Sequence, residues 1–330
     1  MIEIGIIILK VAVVFGIALL HVAYAVYFER KAVGRMQARM GPMEVGFRGT
    51  LQPIADMIKS FFKEDVIPER ADRHLFYIAP VIFVASMMTS LSVLPFFEGF
   101  HIADIDIGVV FIFAMSSLGA YGIIVAGWSS NSKYSFLGGI RAAAQVISYE
   151  ISMGLSLAGV MLMAGSLNLS DIVRAQQEHP LGMFLVPQFL GFAVFVVAAF
   201  AETNRAPFDL PEAETELVAG YLTEYSGFRY ALFFLGEYIG MLVMSSIAAL
   251  CFLGGWTIPK FLINALPFLS HVPGIIWFLM KVYLFMFFYF WVRATVPRYR
   301  YDQLMAIGWK VLIVLALLNL LITAMIKRFF

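Results

Sequence analysis

The chain has 330 residues, of which 61% are hydrophobic and only 14% are charged, and its formal net charge is +1 at pH 7. A water-soluble domain carries about 25% charged residues, so this composition predicts a lipid-facing surface, and the near-zero net charge excludes a broad basic surface for nucleic acid. The single cysteine, Cys251, excludes an internal disulfide, a cysteine-ligated iron–sulfur cluster and a four-cysteine zinc site.

Eight apolar stretches are long enough to cross a membrane, which takes about 20 residues. In chain order they are residues 4–28, 75–97, 107–127, 142–165, 183–201, 230–253, 272–292 and 305–326. The sequence therefore predicts an all-α polytopic membrane bundle of about eight transmembrane helices. We expect residues 1–330 to form a single membrane domain, with one further amphipathic helix on its cytoplasmic surface.

Lysine and arginine are concentrated in the odd-numbered loops, at residues 29–74, 128–141, 202–229 and 293–304. Loops rich in Lys and Arg stay on the cytoplasmic side of a membrane. The predicted orientation is therefore cytoplasmic for these loops and periplasmic for both termini, in the inner (plasma) membrane of a bacterium.

The first of these loops contains an amphipathic segment at residues 51–64. Apolar residues recur at helical spacing on one side, and Gln52, Asp56 and Lys59 lie among the polar ones. This pattern predicts a short helix lying on the membrane surface or on a partner. It either closes the bundle or forms a wall of an access site for a lipid-like substrate. The basic run before it, at residues 29–42, is typical of membrane topology or of contact with anionic lipid.

The loop after the fifth apolar stretch is rich in acids, opposed by Arg205. Its carboxylates are Glu202, Asp209, Glu212, Glu214, Glu216 and Glu224. Crowded, partly buried carboxylates titrate jointly, and some of their pKa values rise toward neutrality. A solvated acidic loop is the alternative, although the apolar residues between the acids favour a segment folded against the bundle.

Glu150, Glu237 and Lys281 are ionisable residues inside the apolar stretches, where charges are costly and typically functional. Glu150 lies opposite Arg141 on an ideal helix, so its partner must come from another helix. Lys281 is a candidate counter-charge to one of the two acids. These residues form either structural ion pairs or a proton relay in the bundle interior.

Motifs for other chemistries are absent from the sequence. It contains no glycine-rich nucleotide-binding pattern, no HExxH and no GxSxG, and its histidines show no ligand spacing. We therefore expect no redox centre and no metal in this chain.

Three groups of motifs resemble the family of the H subunit of bacterial NADH-quinone oxidoreductase (respiratory complex I). They comprise residues 29–42 with 51–59, residues 201–214 with 224–226 and 237–238, and residues 293–305. The resemblance runs from about residue 20 to residue 310. One departure is Met43, where the family usually has Asn.

The resemblance implies a membrane subunit that forms the quinone-binding chamber and couples quinone reduction to proton translocation without a redox centre of its own. Ubiquinone or menaquinone is the implied substrate, and FMN and iron–sulfur clusters belong to partner subunits. The implied partners are the peripheral-arm subunits of the quinone site, small membrane-arm subunits and membrane lipids.

Two sets of residues follow from the resemblance and from the charges inside the spans. Proton coupling is assigned to Glu150, Glu202, Asp209, Glu212, Glu214, Glu216, Glu224, Glu237 and Lys281. Quinone binding or gating is assigned to Arg30, Gln37, Arg39, Asp56, Lys59, Arg205, Phe208, Arg293, Arg298 and Arg300.

Two alternatives remain at this point. One is the equivalent ion-coupling subunit of a membrane-bound hydrogenase or related dehydrogenase. The other is a free-standing secondary transporter, a class that often shows inverted repeats and broken helices at mid-membrane, neither of which is visible in the sequence.

Overall fold

A computed structural model describes residues 2–210, 218–260 and 267–329. These residues fold into helices joined by loops and contain no β-strand, which confirms the predicted all-α bundle. The helices are α1 (Ile2–Met36), α2 (Gln52–Phe62), α3 (Arg73–Ser90), α4 (Gly108–Ser129), α5 (Lys133–Ala164), α6 (Leu169–Glu178), α7 (Phe189–Glu202), α8 (Gly227–Phe252), α9 (Gly274–Thr295) and α10 (Tyr301–Arg328).

Within the described residues, 7 helices are long and apolar enough to cross a membrane: α1, α3, α4, α5, α8, α9 and α10. The predicted span at residues 183–201 is shorter than expected, because α7 contains only 14 residues. At 1.5 Å per residue it is about 21 Å long, less than the roughly 30 Å of a bilayer core. Pro187 explains the late start, since a proline disfavours helical geometry in the residue before it.

Helices α1 and α5 extend further than the apolar stretches indicate. Helix α1 continues through the first charged residues to Met36, and α5 begins at Lys133 rather than near residue 142. Glu29 lies on the extension of α1 and is buried as a result.

The amphipathic helix predicted in the first loop is α2. Pro53 lies in its first turn, where a missing N–H costs nothing. The apolar side chains of Ile54, Ile58 and Phe61 remain exposed. This face is therefore available to lipid or to another chain.

The loops meet at two opposite ends of the bundle. We call end A the end that carries residues 37–51, 63–72, 130–132, 203–210, 218–226 and 296–300, and end B the opposite end. At end A the Asp72 N–H donates to the Ser129 carbonyl at 3.0 Å. At end B the Asn168 side chain donates to Asp104 at 2.7 Å. End A gathers the loops that are predicted to be cytoplasmic.

Close helix packing positions the end A loops. A Cβ built at Gly138 of α5 lies 2.7 Å from the Gly220 Cα and 2.7 Å from the Tyr221 N. Only a glycine at position 138 therefore lets residues 220–222 rest directly on α5. This contact holds one side of the loop between α7 and α8 against the bundle.

Candidate functional site

Arg205 lies in the turn after α7 and connects three elements at end A. Its Nη1 is 3.1 Å from Glu29 Oε1 of α1, and its Nε is 2.5 Å from Glu237 Oε1 of α8. The guanidinium also lies 4.4 Å from the ring centre of Tyr238. Burial alone lowers the pKa of Arg205, but the carboxylates of Glu237 and Glu29 raise it well above its usual value. The site therefore holds a permanent cation between two acids.

Glu29 receives two further donors. The Tyr238 hydroxyl donates to its Oε2 at 2.6 Å, and Arg293 of α9 forms an ion pair with its Oε1. We call Glu29, Arg205, Glu237, Tyr238 and Arg293 the Arg205 cluster. The side chain of Arg293 is 47% exposed, so the cluster reaches from the buried interior to the surface of end A.

Two more acids continue from the cluster into the bundle. Glu202, the last residue of α7, is buried and accepts a hydrogen bond from Ser116 of α4 at 2.8 Å. Glu150 of α5 accepts one from Ser117 of α4. This confirms that the partner of Glu150 comes from another helix. The second oxygen of Glu202, Oε2, is buried without a hydrogen-bond partner in the described part of the chain.

A small internal cavity joins Glu202 to the Arg205 cluster. Ser116, Glu202, Asn204, Tyr221 and Glu237 are among its lining residues. Its volume is about 20 Å³, which is enough for about one water molecule. Polar groups on its wall supply the hydrogen-bond partners that such a water needs. A proton could therefore pass between Glu202 and Glu237 through one bridging molecule.

The second and third motif groups pack against each other at end A. Arg298 Nη2 lies 3.0 Å from Asp209 Oδ2. The rings of Phe208 and Tyr299 stack with their centres 5.5 Å apart. Gln145 of α5 donates to the Phe208 carbonyl at 2.7 Å. These contacts fix the loop after α9 to the loop after α7, directly above the cluster.

A larger cavity, of about 350 Å³, opens between α1, α2 and the start of α8. Its lining includes Arg30, Asp56, Lys59, Tyr225 and Tyr230. The Arg30 guanidinium lies 2.7 Å from Asp56. Burial raises the pKa of Tyr225 to about 12, so its phenol stays protonated. The volume is at the lower end of the range for small-molecule sites, roughly 300–1,000 Å³.

Several predicted site residues lie apart from this constellation. Arg39 Nε donates to Gln37 at 2.8 Å, and both side chains are exposed. Arg300 lies 3.3 Å from Asp302 and is 78% exposed. Glu224 is half-buried, beside the outer end of α2. Three predicted acids fall outside the described residues: Glu212, Glu214 and Glu216.

The expectation that Lys281 balances a buried acid is wrong. Its Nζ donates to the carbonyls of Leu253, Gly255 and Thr257 at 2.6, 2.7 and 2.7 Å. These carbonyls follow the end of α8 at end B, so Lys281 completes the hydrogen bonding of that turn. The counter-charge of Glu237 is Arg205 instead.

Sequence reasoning missed Glu29 as a site residue and assigned it to a basic loop. The sequence contained a signal, because Glu29 continues the helical spacing of the apolar residues Ala18, Val22 and Ala25. In the structure all four are buried. Tyr238 and the donor Ser116 were also missed. Nothing in the local sequence distinguishes Ser116 from other serines inside apolar stretches.

No group of three or more His, Cys, Asp or Glu side chains that could hold a metal occurs among the residues that the structure describes.

Comparison with known proteins identifies the family. A family profile described as NADH dehydrogenase matches residues 9–324. A protein of Paramagnetospirillum magneticum, named as the H subunit of NADH-quinone oxidoreductase, is 52% identical over 325 residues, covering 98% of this chain and 93% of that protein. Its namesake in Rhodospirillum rubrum is 54% identical over 303 residues, covering 92% and 88%. One from Brevibacillus brevis is 49% identical over 322 residues, covering 98% and 92%. This chain therefore belongs to the family of the NADH-quinone oxidoreductase H subunit.

Proposed function

We propose that this chain forms the membrane part of the quinone-binding chamber in a proton-translocating NADH-quinone oxidoreductase and couples quinone reduction to proton movement. The observation that carries this proposal is the row of carboxylates, Glu29, Glu237, Glu202 and Glu150, that leads from end A into the helices. Glu29 and Glu202 are buried, and Glu237 and Glu150 are half-buried. Arg205 holds the first two of these acids together. As a member of the H subunit family, the chain works within a multi-subunit oxidoreductase.

The quinone-binding part of the proposal rests on the first loop, which contains α2. The exposed apolar face of α2 gives a lipid-soluble quinone a route from the bilayer to end A. The cations Arg30 and Lys59 in the adjoining cavity can orient the polar ring of the quinone. Electrons come from NADH through the FMN and iron–sulfur clusters of partner subunits, and this chain supplies the walls of the chamber.

The proton-coupling part of the proposal rests on Arg205, the cation that Glu29 and Glu237 share. Reducing a quinone to a quinol takes up two electrons and two protons in a site with little water. Because Arg205 contacts Glu29 and Glu237 at once, a proton that neutralises one acid strengthens the pairing of Arg205 with the other. That rearrangement alters the charge facing the cavity beside Glu202, and the change can bias elements further along the membrane.

The orientation follows from the charge distribution. We place end A on the cytoplasmic side, where the peripheral-arm subunits of the quinone site dock on its loops, and both termini on the periplasmic side. Small membrane-arm subunits and lipids then contact the apolar outer faces of the spans. The excess of Lys and Arg in the end A loops supports this arrangement.

The variant Glu237→Gln tests the proposal in assembled, membrane-bound complex. We expect at least a ten-fold loss of NADH-driven quinone reduction, while NADH oxidation by an artificial acceptor at the flavin stays normal. Asp171→Asn is the matched control, since Asp171 is exposed at end B and pairs only with Arg174 and Ser166 among the described residues. Normal quinone reduction in assembled Glu237→Gln complex would exclude the proposed coupling role.

A further inference from the structure

Helix α2 is too short to hold its position by itself. It contains 11 residues, and isolated helices of fewer than about 12–15 residues are marginal in water. Its apolar side chains Ile54, Ile58 and Phe61 are exposed instead of being packed in the bundle. The position of α2 therefore depends on the contacts at its two ends.

The first half of α2 is attached to α1. The Arg30 guanidinium donates to the Asp56 carboxylate at 2.7 Å, and the Gln52 amide donates to the same carboxylate at 2.9 Å. The side chains of Arg30 and Asp56 are 51% and 35% exposed. Solvent therefore screens this ion pair and weakens it.

The outer end of α2 lies against the start of α8. The Val66 N–H donates to the Ser226 hydroxyl at 3.1 Å. Gly227 has a φ of +55°, and a Cβ at that position would lie 3.0 Å from the carbonyl oxygen of Lys63. The chain that follows α2 thus passes directly over the first turn of α8.

A mostly buried cation, Arg229, lies at this junction. Its guanidinium lies 3.9 Å from the ring centre of Tyr77 and 5.6 Å from that of Phe76, both on α3. Its Nε lies 3.6 Å from the Asp65 carboxylate. The two side chains of this ion pair are 11% and 28% exposed, so solvent screens it less than the pair at the other end of α2. One side chain therefore joins α8, α3 and the segment after α2.

The same contacts border the cavity between α1, α2 and α8. Tyr225 and Gly227 line it on the side of α8, and Lys63 lines it on the side of α2. The Phe76 ring, which contacts Arg229, also stacks on Tyr225 with the ring centres 4.0 Å apart. Arg229 therefore contacts groups that hold both walls of the cavity.

We propose that Arg229 is a positioning residue, which fixes the outer end of α2 against α8 and α3 and so sets the shape of the cavity beside α2. It acts through Asp65 and the aromatic rings of α3. The effect on quinone kinetics rests on the proposed function, whereas the placement of α2 by Arg229 does not.

Hydrogen exchange of the assembled complex in lipid nanodiscs measures the placement of α2 directly. In Arg229→Met, which keeps an apolar stem against the rings, we expect the amides of residues 52–66 to exchange at least three-fold faster than in wild type. Asp65→Asn should act in the same direction, because it removes the same ion pair without altering α8. Arg229→Lys should recover at least half of the protection, since it restores the charge. The matched control is Arg174→Met, which breaks an exposed pair at end B and should leave this exchange unchanged.

Steady-state kinetics with an isoprenoid quinone separate positioning from a general defect. We expect the KM for quinone to rise at least three-fold in Arg229→Met, while kcat stays within two-fold of wild type. The reason is that a loosened cavity holds the quinone less firmly, whereas the groups that take part in its reduction are unchanged. A general folding defect would instead lower kcat and the amount of assembled complex together.

Two results would overturn the inference. One is unchanged exchange of residues 52–66 in both Arg229→Met and Asp65→Asn, and the other is a fall in kcat as large as the rise in KM. If Arg229→Met does not assemble, Asp65→Asn decides, because its half-exposed position leaves the bundle interior intact. Faster exchange with an unchanged KM would support the placement of α2 and contradict the quinone-binding part of the proposed function.

Discussion

The guanidinium of Arg205 and the carboxylate of Glu237 lie 2.5 Å apart, with side chains that are 7% and 15% exposed. The same guanidinium lies 3.1 Å from Glu29. One buried cation therefore serves two acids on different helices, the buried Glu29 and the half-buried Glu237, and Arg293 at the edge of the cluster supplies a further cation to Glu29. The protonation of either acid changes how strongly the other is held. This sensitivity is what a coupling site needs.

Removing the shared cation should disrupt the site most severely. Arg205→Met leaves Glu29 and Glu237 buried without their common partner, and breaking a buried ion pair in this way costs about 3–5 kcal/mol. We expect much less assembled complex in membranes, measured by native electrophoresis, and little quinone reduction in what remains. Arg205→Lys should recover part of the assembly, because it restores the charge but not the planar fork. Full assembly and activity in Arg205→Met would contradict this account of the cluster.

The hydroxyl of Tyr238 should matter independently of its ring. Tyr238→Phe removes the donor to Glu29 but keeps the ring beside Arg205. A hydrogen bond to a charged group contributes about 1.5–3 kcal/mol. We expect a several-fold slower quinone reduction in normally assembled complex, and no change in Tyr121→Phe, whose side chain is exposed on α4. Equal rates in the two variants would show that the hydroxyl has no role.

Asp209 and Arg298 should act as one unit. Their side chains are 12% and 43% exposed, so the pair is partly screened by solvent, and we expect a coupling energy of about 1 kcal/mol. Asp209→Asn and Arg298→Ala should each raise the KM for quinone by loosening the loops above the cluster. The double variant should be no worse than the more severe single one. Additive effects in this double-mutant cycle would mean that the two residues act separately.

Glycine should be required at position 138 but not at position 154, although both lie in α5. A Cβ at Gly138 meets the backbone of residues 220 and 221 at 2.7 Å, whereas one at Gly154 meets nothing within 4 Å. We expect Gly138→Ala to destabilise the subunit by about 1–3 kcal/mol, as overpacking does. Gly154→Ala should leave the thermal stability of the complex unchanged. Equal melting temperatures for the two variants would refute the close contact.

Much of the fold could be predicted from the sequence, because long apolar stretches define membrane helices with little need for tertiary information. The errors have local causes. Pro187 shortens α7, and Glu29 remains inside α1 because the helix continues past its apolar part. The sequence analysis did not predict helix α6. Two features of the sequence indicate it: the cap residue Asn168, and the apolar residues Leu169, Ile172 and Val173, which recur at helical spacing and are buried in the structure. A segment of 10 residues is easily assigned to a loop.

The site could be predicted only in part. Glu150 and Glu237 were recognisable because a charge inside an apolar stretch is rare. Their partners were not, since pairing depends on how the helices pack. Arg205 and Glu29 are 176 residues apart in the chain. The carbonyls that bind Lys281 follow from the shape of the turn after α8, which no residue pattern in the sequence specifies.

The central claim is that buried carboxylates of this chain change protonation when quinone is reduced, and infrared difference spectroscopy measures this most directly. Spectra of the assembled complex are recorded before and after reduction of bound quinone by NADH. The account predicts a carboxyl C=O band in wild type that disappears in Glu202→Gln, together with the loss of proton translocation. The amide of that variant can still accept from Ser116, so the fold is preserved. Identical difference spectra, with unchanged proton translocation, would contradict the account.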